Sequence, residues 1–176
     1  MPKKAKKRGT IYLWTGTGAG KTTSSLGVAL RSVGHKKKVI IIQFLKGRKD
    51  IGEYKIMERL KPYYEVHQFG RVGWVDLHNP SKIDIELARK GLKFAAECLK
   101  RKPHLLVLDE LALAVAFKLV PLNEVLKILK NVPPKTTVYI TGRFAPKGLI
   151  RAADYVTEFV TLKMPKKIVA RKGIEY

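Results

Sequence analysis

The run Thr15-Gly16-Thr17-Gly18-Ala19-Gly20-Lys21-Thr22 combines residue types suited to wrapping a polyphosphate. Its glycines let the backbone curl until several N–H groups point inward at one anion. Lys21 adds a full positive charge, and the Thr22 hydroxyl suits a Mg²⁺ ion carried by the phosphates. The spacing fits the Walker A pattern except at the first position, where Thr15 replaces glycine. A helix starting at Lys21 would turn its positive end toward the phosphates. An ordinary glycine-rich turn between strand and helix is the competing reading, and it does not account for the full spacing.

A second group of residues could handle the metal. Leu105-Leu106-Val107-Leu108-Asp109-Glu110 has the form of a Walker B strand. Asp109 would hold Mg²⁺, directly or through water. Glu110 is either a second metal-shell group or, in an ATPase, the base that orients attacking water. A solvated acidic turn is the alternative, set against a chain with only 14 acidic residues. Arg143 follows Thr141-Gly142 and can fork onto a phosphate chain; it can equally be a plain surface arginine. Gln43, Lys46 and Gly47 have similar standing. His35, His67, His78 and His104 show no metal-ligand spacing. Trp74 follows a loop with Gly70 and Gly73, so it either packs in the core or lines a large flat ligand.

These residues need a scaffold, and the pattern around them supplies one. Short β-prone runs are expected at Thr10 to Trp14, Val39 to Phe44, Tyr64 to Phe69, His104 to Leu108, Thr136 to Thr141 and Tyr155 to Leu162. Helical stripes lie between them. One spans about Lys21 to Val33, with Leu26, Ala29, Leu30 and Val33 on one face. Another is capped by Ser81 with Asp84 three residues on, and carries Ile85, Ala88, Leu92, Ala95 and Leu99. A third is opened by Pro121. The alternation predicts an α/β domain with a mainly parallel sheet and helices on both faces. Ligands of such sheets bind beyond the carboxyl ends of the strands. Thr15 to Thr23, Gln43 to Gly47, Asp109-Glu110 and Thr141 to Arg143 all fall at such ends. The reading is one domain, 9–176, behind a basic arm, 1–8.

Composition narrows the partners. Lysine and arginine total 36 against 14 acids, a formal charge of +22, which attracts nucleotides, nucleic acid or other anions. The cations are scattered and not interleaved with exposed aromatics, which disfavours a nucleic-acid partner. The single cysteine, Cys98, falls on an apolar helix stripe and fits inert core in a reducing cytoplasm. The sequence holds no membrane-length apolar run, and the basic start lacks the apolar region of a secretory signal.

Taken in order along the chain, several stretches resemble the P-loop corrinoid adenosyltransferases, or ATP:cob(I)alamin adenosyltransferases. They are Thr15 to Thr23, Val33-Gly34-His35, Gln43-Phe44-Leu45-Lys46-Gly47, Leu108-Asp109-Glu110-Leu111, Val120-Pro121-Leu122, Ile140-Thr141-Gly142-Arg143, Ala153-Asp154 and Gly173-Ile174-Glu175-Tyr176. The resemblance implies a RecA-like P-loop fold that binds its nucleotide in a reversed sense. It also implies transfer of the 5′-deoxyadenosyl group of ATP to the Co(I) of a reduced corrinoid, with release of triphosphate. By this analogy Thr15, Gly16, Thr17, Gly18, Ala19, Gly20, Lys21, Thr22, Thr23 and Arg143 bind ATP. Thr22, Asp109 and Glu110 hold Mg²⁺, Lys21 and Glu110 are the catalytic pair, and Trp74 meets the corrinoid. Val72 stands where the family usually has Phe before that Trp. A homodimer and a separate electron-donor protein that reduces the corrinoid are implied as well. The alternative is a P-loop ATPase or kinase cleaving between phosphates, possibly with nucleic acid.

Overall fold

The computed structural model describes residues 8–167 and 169–176, so the basic stretch Lys3 to Lys7 lies outside the described residues. Six strands form one sheet: β1 (Thr10–Thr15), β2 (Val39–Phe44), β3 (Tyr64–Phe69), β4 (Leu105–Asp109), β5 (Thr137–Thr141) and β6 (Tyr155–Glu158). Their order is β3-β2-β4-β5-β1-β6, and every pairing is parallel. The expected α/β class holds, with a P-loop-type arrangement of strand, glycine-rich loop and helix.

Side-chain alternation divides the interior into two cores. Ile11, Leu13, Ile40, Ile42, Phe44, Leu106 and Leu108 face α4 (Lys82–Lys100), α5 (Leu111–Ala116), α6 (Leu122–Lys130) and α7 (Lys147–Ala152). Their neighbours Val39, Ile41, Leu105 and Val107 face α1 (Lys21–Gly34), α2 (Gly52–Lys55) and α3 (Met57–Leu60). Right-handed crossovers explain the split: connections heading toward β3 pass over one face, and those heading toward β6 pass over the other. β2 and β4, covered on both sides, are buried at every residue, as continuous apolar runs of central parallel strands should be.

The start of α4 is fixed as its sequence foretells. Ser81 and Asp84 form a capping box, and Ala88, Leu92, Ala95 and Leu99 are buried. Three expectations need correction. Leu30 is 60% exposed, because α1 turns its small residues Ser25 and Ala29 to the sheet and so packs closely against it. The last strand stops at Glu158 rather than Leu162, because the chain then engages the phosphate loop. The longest apolar run of the sequence, Leu111 to Phe117, holds the short helix α5, where no helix was expected.

Candidate active site

The glycine-rich loop joins β1 to α1 at the carboxyl edge of the sheet. Gly16 and Gly20 adopt left-handed backbone, with φ of 97° and 102°. A Cβ at Gly16 or Gly18 would also collide with the Phe159 backbone, at 2.3 and 2.8 Å. The loop is therefore held from outside. Gly18 N–H donates to the Phe159 carbonyl at 2.8 Å, and Phe159 N–H donates to Thr15 O at 2.8 Å. Sequence reasoning missed Phe159, since nothing in its neighbourhood marks it as part of a phosphate site. Thr17, Ala19, Gly20 and Thr23 are exposed, whereas Gly18 and Lys21 are buried. The Lys21 ammonium donates to the Gly18 carbonyl and lies 6.0 Å from the centre of the Phe159 ring.

Asp109, at the end of β4, sits at the centre of a polar cluster. Its Oδ1 accepts from Thr141 Oγ1 at 2.6 Å and from Thr22 Oγ1 at 2.8 Å. Its Oδ2 accepts from Lys46 Nζ at 2.6 Å and from Gln43 Nε2 at 3.4 Å. Three strand ends and the first turn of α1 thus converge on one carboxylate. Lys46, which the sequence could not separate from a surface lysine, proves to be the cation of this cluster. Its ammonium also lies 3.3 Å from Thr22 Oγ1. Gly47 allows this: its Cβ position is 2.5 Å from Gly70 O, so only glycine lets the β2 and β3 loops touch there.

Electrostatics separate the two acids. Burial opposes a charge on Asp109, yet Lys46 beside it, helped by the Thr141 and Thr22 hydroxyls, holds its carboxyl below the ordinary range. Burial and the neighbouring Asp109 push Glu110 up, against Lys46, Lys21 and Arg143. Glu110 has a left-handed backbone, φ 62°, and its Oε2 is buried without a hydrogen-bond partner among the described residues. Burial lowers the Lys21 pKa, opposed by Glu110 and reinforced by Arg143. Arg143 is exposed, but its charge reaches both groups.

The donors present suit a hard divalent cation. The Thr22 hydroxyl and the Asp109 and Glu110 carboxylates offer oxygen, and the orphaned Glu110 Oε2 lacks a partner that a cation would supply. Among the described residues no group of three or more His, Cys, Asp or Glu side chains gathers, so the protein alone does not complete a coordination shell. Phosphate oxygens and water ordinarily complete it for Mg²⁺.

Trp74 lies apart from this cluster, in the loop between β3 and α4. It is 100% exposed, and Val75 and Leu77 of the same loop pack against the core in its place. The core reading of Trp74 is thereby excluded. Arg71, in the same loop, holds Asp84 with two bonds of 2.7 and 2.8 Å, which ties the loop to the start of α4.

Fold and site together define a P-loop nucleotide-binding protein: a glycine loop before a helix, a buried lysine, and a strand-end aspartate bonded to the P-loop threonine. The comparisons with known proteins carry this further. Residues 7–176 match the family model described as ATP:corrinoid adenosyltransferase BtuR/CobO/CobP. A corrinoid adenosyltransferase of Escherichia coli is 36% identical over 173 residues, 97% of this chain and 87% of that protein. One of Pseudomonas aeruginosa is 35% identical, over 97% of this chain and 85% of its own. The corrinoid adenosyltransferase CobA of Salmonella typhimurium is 34% identical, over 97% and 87%. The chain belongs to the ATP:corrinoid adenosyltransferase family.

Proposed function

We propose that this chain transfers the 5′-deoxyadenosyl group of ATP to the Co(I) of a reduced corrinoid and releases triphosphate. The observation that carries the reading is the family match along residues 7–176, joined to an intact phosphate loop. The alternative, cleavage between phosphates with Glu110 as base, is not favoured by these relatives.

In this reaction the cobalt supplies an electron pair to the 5′ carbon, a Co–C bond forms, and the C5′–O bond breaks with its pair going to triphosphate. No proton moves, so no general base is needed. The protein's task is to hold three phosphates and absorb the charge that grows on the leaving oxygen. Lys21 and loop N–H groups other than that of Gly18, which Phe159 O holds, are assigned to that charge, and Arg143 adds to the local positive field. Thr22, Asp109 and Glu110 are the residues that would hold Mg²⁺, which when bound neutralises phosphate charge. Lys46 keeps Asp109 ionised and in place before substrate arrives. Trp74, exposed on its tethered loop, is assigned to the corrinoid.

Co(I) must be generated before transfer. Cys98 is buried and is the only cysteine of the sequence, so a dithiol within the chain cannot do it. A separate electron-donor protein is the proposed source, and the cytoplasm the proposed compartment. The chain is further proposed to act as a homodimer, paired at the outer edge of β6. Product analysis tests the reaction: ATP with cob(I)alamin should yield adenosylcobalamin and triphosphate in equal amounts. Orthophosphate without adenosylcobalamin would overturn the assignment.

A further inference from the structure

Phe144 is the most unusual residue near the site. It follows β5 with φ 56°, a left-handed backbone that a bulky side chain rarely adopts. Leu45 and Glu110 share that conformation at the ends of β2 and β4, but Leu45 packs against the core and Glu110 is largely enclosed. Phe144 is 58% exposed, so burial does not offset its strain. Strained backbone that the core does not reward tends to cluster where ligands bind.

Its neighbours tie it to the phosphate loop. Arg143 precedes it and acts electrostatically on Lys21 and Glu110. Ala145 follows it and donates its N–H to Thr15 Oγ1 at 3.3 Å. On the other side its ring meets Phe117 edge-on, with centroids 6.1 Å apart. Phe117, just beyond α5, in turn meets His78 at 5.5 Å. His78 shares the loop of Trp74, in which Val72 is 75% exposed and Trp74 fully so. A row of ring contacts thus links the β5 loop to the Trp74 loop.

We infer that Phe144 is a specificity residue for the corrinoid, forming the wall of its seat that faces the Trp74 loop. This rests on the adenosyl-transfer reading above. A purine is two fused rings and matches about one step of this row, which runs through two ring-to-ring steps to a loop that carries two further exposed apolar side chains. A broad, flat macrocycle fits that span. Aromatic side chains bind such surfaces through large contact area at small entropic cost.

The test compares Phe144→Gly and Phe144→Tyr with the wild type. Glycine adopts φ near +56° without strain. Phe144→Gly should therefore keep or raise the thermal midpoint. Its KM for cob(I)alamin should rise about tenfold, as loss of a ring contact implies, with KM for ATP within about twofold. Phe144→Tyr should behave as wild type. Equilibrium binding of cob(II)alamin, followed by its visible spectrum, should weaken in parallel in Phe144→Gly. A lowered midpoint with both KM values normal would show a packing role and overturn the inference. A raised ATP KM with corrinoid binding unchanged would assign the ring to the purine instead. If wild type binds cob(II)alamin but forms no adenosylcobalamin, the reaction assignment fails while the binding comparison still judges Phe144. If wild type binds no corrinoid, both fall.

Discussion

Two lysines meet the site in different ways, and the difference is measurable. Lys21 is buried with the carbonyl of Gly18 as its hydrogen-bond acceptor, so its charge is available to a phosphate. Lys21→Ala should weaken ATP binding by about 1.5–3 kcal/mol, the worth of a charge-assisted contact, read by calorimetric titration. Unchanged affinity would remove Lys21 from the site. Lys46 instead spends its charge on Asp109, which is 0% exposed. Lys46→Met leaves that carboxylate buried without its cation, a change that costs about 3–5 kcal/mol of stability. Mg²⁺ can take the same place between Thr22 and Asp109. Added Mg²⁺ should therefore raise the thermal midpoint of Lys46→Met by more than that of wild type. Equal responses would show that the metal does not reach Asp109. Glu110→Gln should raise the Mg²⁺ concentration needed for activity; if phosphate release alone were lost and metal demand unchanged, Glu110 would be a base.

At the scale of elements, the loop that carries Trp74 is anchored through Asp84. That side chain accepts from Arg71, from Ser81 Oγ at 2.6 Å and from Ser81 N at 3.1 Å. The Arg71 hydrogen bonds lead, against the opposing effect of burial, and hold its carboxyl down to about 2. Its unfolded value is about 3.9. A depressed folded pKa means that the stability it confers is fully present above pH about 4 and is lost as pH falls through about 2. Asp84→Asn should lower stability at neutral pH and flatten the acid limb of the stability curve in that window. An unaltered acid limb would show that the clamp carries no stability. This clamp also shows what the sequence could and could not reveal. Ser81 with Asp84 reads as a capping box, because capping is local and three residues span it. Arg71 does not announce itself, because its partner lies beyond a turn of irregular backbone. The same division runs through the site. The P-loop and Asp109-Glu110 are contiguous and legible. Lys46, Phe159 and Phe144 act through contacts that only the sheet order creates. β2 was readable to the residue as a buried apolar run and β4 to within one residue at each end, whereas the end of β6 was not, since Phe159 leaves the ladder to meet the glycines of another loop.

Charge governs how the whole molecule meets a copy of itself. At +22 two chains repel over most of their surfaces. From Ala152 to Leu162, however, there is no lysine or arginine, while Asp154 and Glu158 are acidic. This stretch contains β6, which among the described residues pairs with β1 alone and whose four residues are all exposed. Tyr155 is 56%, Val156 44%, Val160 64% and Leu162 96% exposed. An edge strand with apolar side chains and an open row of N–H and C=O groups is a template for another strand. An acidic partner would be drawn to the lysine-rich surfaces instead, so a second copy is the occupant proposed for this edge, where Arg8 is already held by Asp154 at 2.8 Å. Sedimentation should show a dimer whose affinity rises with salt, because added ions screen the repulsion while the apolar contact persists. Val156→Lys places a cation at the centre of the edge and should yield monomer, with ATP affinity retained because the P-loop is unchanged. A chain that stays monomeric at every salt and protein concentration would rule out the β6 pairing, and a dimer untouched by Val156→Lys would move the interface elsewhere.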